Sequence, residues 1–158
     1  MGTLVHRWLE WLADDGPAAW PAPALQAQLP RMQQWLRRQG HPPAQAERGA
    51  QEALAHLLST LDSPEGQWVL QAHPEAVCEM PWTSAERPED ASPDTPPQWR
   101  NHVIDRSFVV EGVRWIIDYK TTRHDEMPED SPAWQAYTRQ LVRYQRLLAP
   151  EGRPVRLA

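Results

Sequence analysis

Two short stretches of this chain hold residues whose types and spacing suit work on a charged substrate. One is Ile116-Ile117-Asp118-Tyr119-Lys120-Thr121-Thr122, an apolar run that exits into an acid and a lysine. The other, Val103-Ile104-Asp105-Arg106, places a second acid one element earlier. Read as a strand, the first stretch projects Asp118 and Lys120 to one face, because side chains alternate with period 2. Two carboxylates from adjacent strands suit a hard divalent cation, which prefers oxygen ligands. A lysine beside them can orient an attacking water or neutralise charge on a phosphate. A surface Asp–Lys pair at a strand end satisfies the same spacing, so this motif alone does not decide.

Other candidates are weaker one by one. Glu79, in Cys78-Glu79-Met80-Pro81-Trp82, offers a third carboxylate or is simply an edge-strand glutamate. Gln140 and Tyr144 stand at i and i+4 and share a helix face. They could line a phosphate-binding edge, although any half-buried helix face has such pairs. His6, in Gly2-Thr3-Leu4-Val5-His6, reads in isolation as a histidine on a helix surface. The remaining histidines (His41, His56, His73, His102, His124) form no i,i+4 pair and no His-Glu-x-x-His, so a zinc hydrolase has no support.

These residues need elements to hold them. Thr3 to Ala13 reads as a helix with Leu4, Trp8, Trp11 and Leu12 on one side, broken by the prolines from Pro17 to Pro23. A second helix is expected over Ala24 to Gln39, with Gly40 at C′ and Pro42-Pro43 beyond. A third follows over Ala44 to Leu61, and Ser63-Pro64 signals the capped start of a short helix through Leu70. From Glu75 the pattern turns to period 2. Strands are expected over Ala76–Trp82, Arg100–Val110 and Val113–Tyr119, the last two joined by the turn Glu111-Gly112. Ser84 to Gln98 is rich in Pro, Glu and Asp and reads as a poorly packed loop; Thr121 to Asp130 reads as a polar connection. Ser131-Pro132 caps a helix from Ala133 to Leu148, and Pro154 to Ala158 starts another strand. The order implies an α+β core, residues 74–158, behind a helical segment, residues 1–73, in one domain.

Composition bounds the function. The net charge is −5 and the pI about 5.6, an unfavourable balance for a protein that grips nucleic acid unaided. The single cysteine, Cys78, excludes a disulfide framework and a cysteine-based zinc site and fits a reducing cytoplasm. Neither a membrane span nor an export signal is visible. The nine tryptophans are spread along the chain, as core anchors would be, rather than clustered as base-stacking platforms.

Taken in order, the segments resemble the RecB-like nuclease domain of the PD-(D/E)xK superfamily, found at the C-terminal end of UvrD-type helicase–nucleases such as exonuclease V beta and AddA-like proteins. Gly2 to Glu10 resembles that family's opening helix, whose histidine contacts the metal. Glu79 matches an acid on the first strand. Asp105 and the run Asp118-Tyr119-Lys120 match the two catalytic strands, and Gln140-Leu-Val-Arg-Tyr144 matches the closing Gln-x-x-x-Tyr helix. The resemblance implies a restriction-endonuclease-like core, a central mixed sheet flanked by helices, with Mg²⁺ or Mn²⁺ held by His6, Asp105, Asp118 and the Tyr119 carbonyl. It implies a DNA nuclease, of exonuclease type, serving as the nuclease module of a DNA-repair helicase–nuclease. The implied partners are DNA and the helicase portion of the same polypeptide or complex, with no small-molecule cofactor. The other outcome it allows is an inactive nuclease-like module that binds DNA or a helicase. Two departures stand out: Asn101-His102-Val103 occupies a stretch where the family favours a small residue, and the last strand is short. No phosphate-loop motif occurs either. The first helix begins on the second residue and the last strand lacks its end, so the chain reads as a piece of a longer protein.

Overall fold

The computed structural model describes residues 2–87, 92, 94–120 and 131–158. They fall into two compact units, one of residues 2–72 with 119–120 and one of the described residues from 73 to 118 with 131–158.

The first unit is helical: α1 Gly2–Asp15, α2 Ala22–Gln26, α3 Leu29–Arg38, α4 Pro43–Asp62 and α5 Pro64–Leu70. The single helix expected over Ala24–Gln39 is two helices, separated at Ala27-Gln28. The cause is Pro30, which lacks an N–H and whose ring clashes with the carbonyl four residues earlier. That carbonyl belongs to Gln26, where α2 ends. Gly40 takes a left-handed φ of 89° just beyond α3, as the C′ position requires. Ser63 caps α5 through its Oγ, which accepts from the Gly66 N–H at 2.9 Å. α1 buries Leu4, Val5, Trp8, Leu9 and Leu12. α4 presents Ala46, Ala50, Ala53 and Leu57, all fully buried, at helical spacing. Small alanines let neighbouring backbones approach closely, so this unit is held by dense apolar packing.

The second unit carries a four-stranded sheet of order β1-β2-β3-β4, with β1 Val77–Glu86, β2 Gln98–Val110, β3 Val113–Ile117 and β4 Val155–Leu157. β1, β2 and β3 are antiparallel and β4 joins β3 in parallel, so the sheet is mixed. The fold is α+β, as expected for a PD-(D/E)xK-type core. Glu111 and Gly112 have φ of 50° and 76°, both positive, the requirement of a type I′ hairpin turn. The chain crosses from β3 to β4 through α6, Pro132–Leu148. Ser131 caps α6, its Oγ accepting from the Trp134 N–H at 3.1 Å. The inner face of α6 packs Tyr144 and Leu148 on Ile104 and Ile116, with Met80, Trp82, Leu141 and Leu157 around them.

Two strand boundaries differ from expectation. β1 and β2 reach Glu86 and Gln98, so the ends of the supposed Ser84–Gln98 loop are paired, Ser84 with Arg100 and Glu86 with Gln98. The loop's residues 88–91 and 93 lie outside the described residues, as does the connection at 121–130. β3 stops at Ile117, so strand alternation does not orient Asp118 and Lys120.

Candidate active site

Within the sheet unit, the carboxylates are set by register. The pairs Cys78↔Arg106 and Met80↔Ile104 place Glu79 across from Asp105. Their carboxylate oxygens come within 4.8 Å of one another. Like charges directly opposite on neighbouring strands destabilise a sheet. Glu79 adds a second cost: its φ is 49°, left-handed in the middle of a strand, a conformation that costs roughly 1–3 kcal/mol for a residue with a Cβ. Strain and like charge coincide at one position. A bound cation offsets the repulsion, and the oxygen donors are of the kind a hard divalent ion takes.

Asp118 follows β3 and is buried, 8 % exposed. Its backbone N–H donates to the Ala158 carbonyl at 3.0 Å, and the Ala158 N–H returns a bond to Ile116. Thus β4 and the residue after it fix where Asp118 stands. Its Oδ1 accepts from Gln140 Nε2 at 3.1 Å. The same nitrogen donates to Tyr144 Oη at 2.7 Å, and Tyr144 donates to the Val103 carbonyl at 3.0 Å. One chain of hydrogen bonds therefore runs from Asp118 through α6 to the β2 backbone. Tyr144 is 3 % exposed, so its hydroxyl serves this chain. Ser84 and His102 meet at 3.1 Å, and His102 lies edge-on to Tyr144 with centroids 6.4 Å apart. The imidazole is thereby accommodated beside α6 where a small residue is usual.

Tyr137 was not a sequence candidate. Burial raises its pKa, and the negative charges of Asp118 and Asp105 raise it further. Tyr144 is raised by burial first, with the Gln140 bond opposing and both aspartates adding. Both phenols thus stay protonated beside the acids. Tyr137 stands three residues before Gln140, on the same face of α6; that spacing was the available signal.

In the helical unit, His6 Nε2 lies 3.1 Å from the Tyr119 carbonyl oxygen, and the two rings meet edge to face at 5.8 Å. The distance is that of a hydrogen bond in which the ring N–H donates to the carbonyl, and the contact holds the two groups side by side. Lys120 follows, exposed.

A family comparison adds to this geometry. The chain matches the PD-(D/E)XK nuclease superfamily over residues 1–157. It belongs to that superfamily. PD-(D/E)XK proteins are generally nucleases that use divalent metals, and the Glu79–Asp105 pair is consistent with such a centre. No curated protein matches the sequence significantly. Among the described residues, no helix is long and apolar enough to cross a membrane.

Proposed function

We propose that this PD-(D/E)XK chain hydrolyses DNA phosphodiesters with Mg²⁺ or Mn²⁺, with Asp105, Asp118, His6 and the Tyr119 carbonyl as the ligands. The observation that carries this reading is the strained, like-charged pairing of Glu79 with Asp105. A cation shared by two such acids would relieve their mutual repulsion. A divalent cation there would supply Lewis acidity toward the phosphate and lower the pKa of water. The imidazole nitrogen of His6 favours Mn²⁺ over Mg²⁺. The protein's own groups divide the rest of the work. Glu79 adds negative charge beside Asp105. Gln140 holds the Asp118 carboxylate in one orientation, and Tyr144 holds Gln140. Lys120 orients the attacking water and stabilises charge developing on the phosphoryl oxygens.

The order of the matching segments, from the His6 helix to Gln140 and Tyr144, supports a RecB-like exonuclease module of a DNA-repair helicase–nuclease acting in the cytoplasm. Residues 1–158 form one such nuclease domain on this reading. An inactive scaffold is disfavoured by the presence of Glu79, Asp105, Asp118 and Lys120 together.

Calorimetric Mn²⁺ titration and single-turnover cleavage test the proposal. Asp118→Ala should abolish both. Lys120→Ala should keep the metal and lose ~10²–10³ in rate, the usual cost of one preorganised donor. A Lys120→Ala enzyme that cleaves as fast as wild type, or wild-type protein that takes no Mn²⁺, would overturn the assignment.

A further inference from the structure

A groove of about 480 Å³ lies between the outer flank of α6 and the far end of β1. Four arginines line it, Arg87, Arg139, Arg143 and Arg146, with Ser84 and Thr138. Arg100 stands across the sheet from Ser84, and directly opposed residues share a face. α6 itself contains no acid over its whole length, Pro132–Leu148, in a chain whose net charge is −5. Arginines at i, i+4 and i+7 repel one another along a helix. The helix dipole accounts for a cation in the last turn, Arg146, but not for Arg139. Scattered solvating charges would be mixed in sign. These are of one sign and line a concavity.

We infer that this groove binds the phosphate backbone of DNA. The inference rests on the nuclease reading for its choice of polyanion. Guanidinium groups pair with phosphate oxygens bidentately. Gln140 and Tyr144 follow Arg139 and Arg143 directly in α6. One helix therefore holds Asp118 on its inner face and DNA along its flank.

Binding of a fluorescent 20-nucleotide oligothymidine to the full chain, in EDTA and over a range of NaCl, tests this directly. Arg139 and Arg146 are exposed, so R139A/R146A should fold with an unchanged melting midpoint. Its affinity should fall at least tenfold at low salt. Its slope of log Kd against log salt should flatten by ~1.4, about 0.7 for each phosphate no longer neutralised. R139K/R146K should recover most of the slope. A slope unchanged in R139A/R146A overturns the inference; so does polyglutamate competing as well as DNA. The two readings fail separately. Wild-type protein that binds DNA through these arginines but never cleaves it removes the nuclease assignment and keeps the groove. Cleavage at unchanged KM by R139A/R146A, with unchanged salt slope, does the reverse.

Discussion

The helices α1–α5 and the sheet with α6 bury different things. Every fully buried side chain of α1–α5 is apolar, from Leu4 and Trp8 to Ala53 and Leu70, whereas the sheet unit buries Arg106, Ser107, Arg114 and Asp118. Polar groups cost free energy to bury unless each is satisfied. The sheet unit meets that cost with specific bonds: Ser107 donates to the Trp115 carbonyl at 2.9 Å, and Arg106 reaches Cys78 Sγ at 3.0 Å. Arg114 is held by Glu75 at 2.7 Å and Glu151 at 3.0 Å. The difference teaches where chemistry can be housed. A region packed only by apolar groups tolerates exchange of equal volumes, while one built on polar bonds is specified atom by atom.

The largest effect on stability should come from the apolar region. Leu57 on α4 is wholly buried, at 0 % exposure. Leu57→Ala removes buried methyl groups and leaves a cavity, at a cost of about 2–5 kcal/mol. Urea unfolding measures it. Mn²⁺ affinity, measured where the variant remains folded, should be unchanged. A loss of metal affinity without loss of stability would break the contrast between the regions.

Gln140→Ala should invert that pattern. It removes one donor to Asp118 and one to Tyr144 but little apolar volume. Removing a residue that orients a metal-bound carboxylate typically lowers affinity or activity ~10–100-fold. Calorimetric Mn²⁺ titration beside thermal melting separates the two effects. Unchanged affinity would mean that Gln140 serves only to seat α6.

Both regions are largely legible in sequence, for local reasons. Ser63-Pro64, Ser131-Pro132, Gly40 and Glu111-Gly112 act through their own backbone chemistry, so each marks a boundary that the structure keeps. The gap between α2 and α3 is hidden because apolar spacing continues across it while Pro30 alone forbids it. The end of β3 at Ile117 is hidden because Asp118 still bonds to Ala158, a residue far along the chain that no local pattern announces. Glu79 is visible as an acid, but its left-handed backbone follows from nothing in Cys78-Glu79-Met80. Tyr137 and the arginine groove depend on which flank of α6 meets β1. Net charge conceals that groove, because summation erases position.

The smallest effect concerns Glu75, and it tests whether the charged bonds around β3 stabilise the sheet unit. Glu75 accepts from Arg153 at 2.8 Å and from Arg114 at 2.7 Å. The Arg153 hydrogen bond lowers its pKa below the ordinary 4.5; slight burial opposes this, and the charges of Arg153 and Arg114 reinforce it. A carboxyl whose pKa is lower in the folded state binds its proton more readily when unfolded. Its contribution is therefore complete above the ordinary value and is lost as pH falls through the lowered one. Glu75 is half exposed, where ion pairs contribute little, so the effect should be modest. Glu75→Gln keeps the shape and removes the charge. Melting curves should show the variant slightly less stable than wild type at neutral pH, with the two converging as pH falls below the ordinary 4.5 and through the lowered native pKa. Gln also retains one acceptor for the buried Arg114, which keeps Glu151 as its second partner. A gap between the curves that stays constant from about pH 7 to about pH 3 would assign the loss to altered packing and would remove charge from the account of how β3 is held.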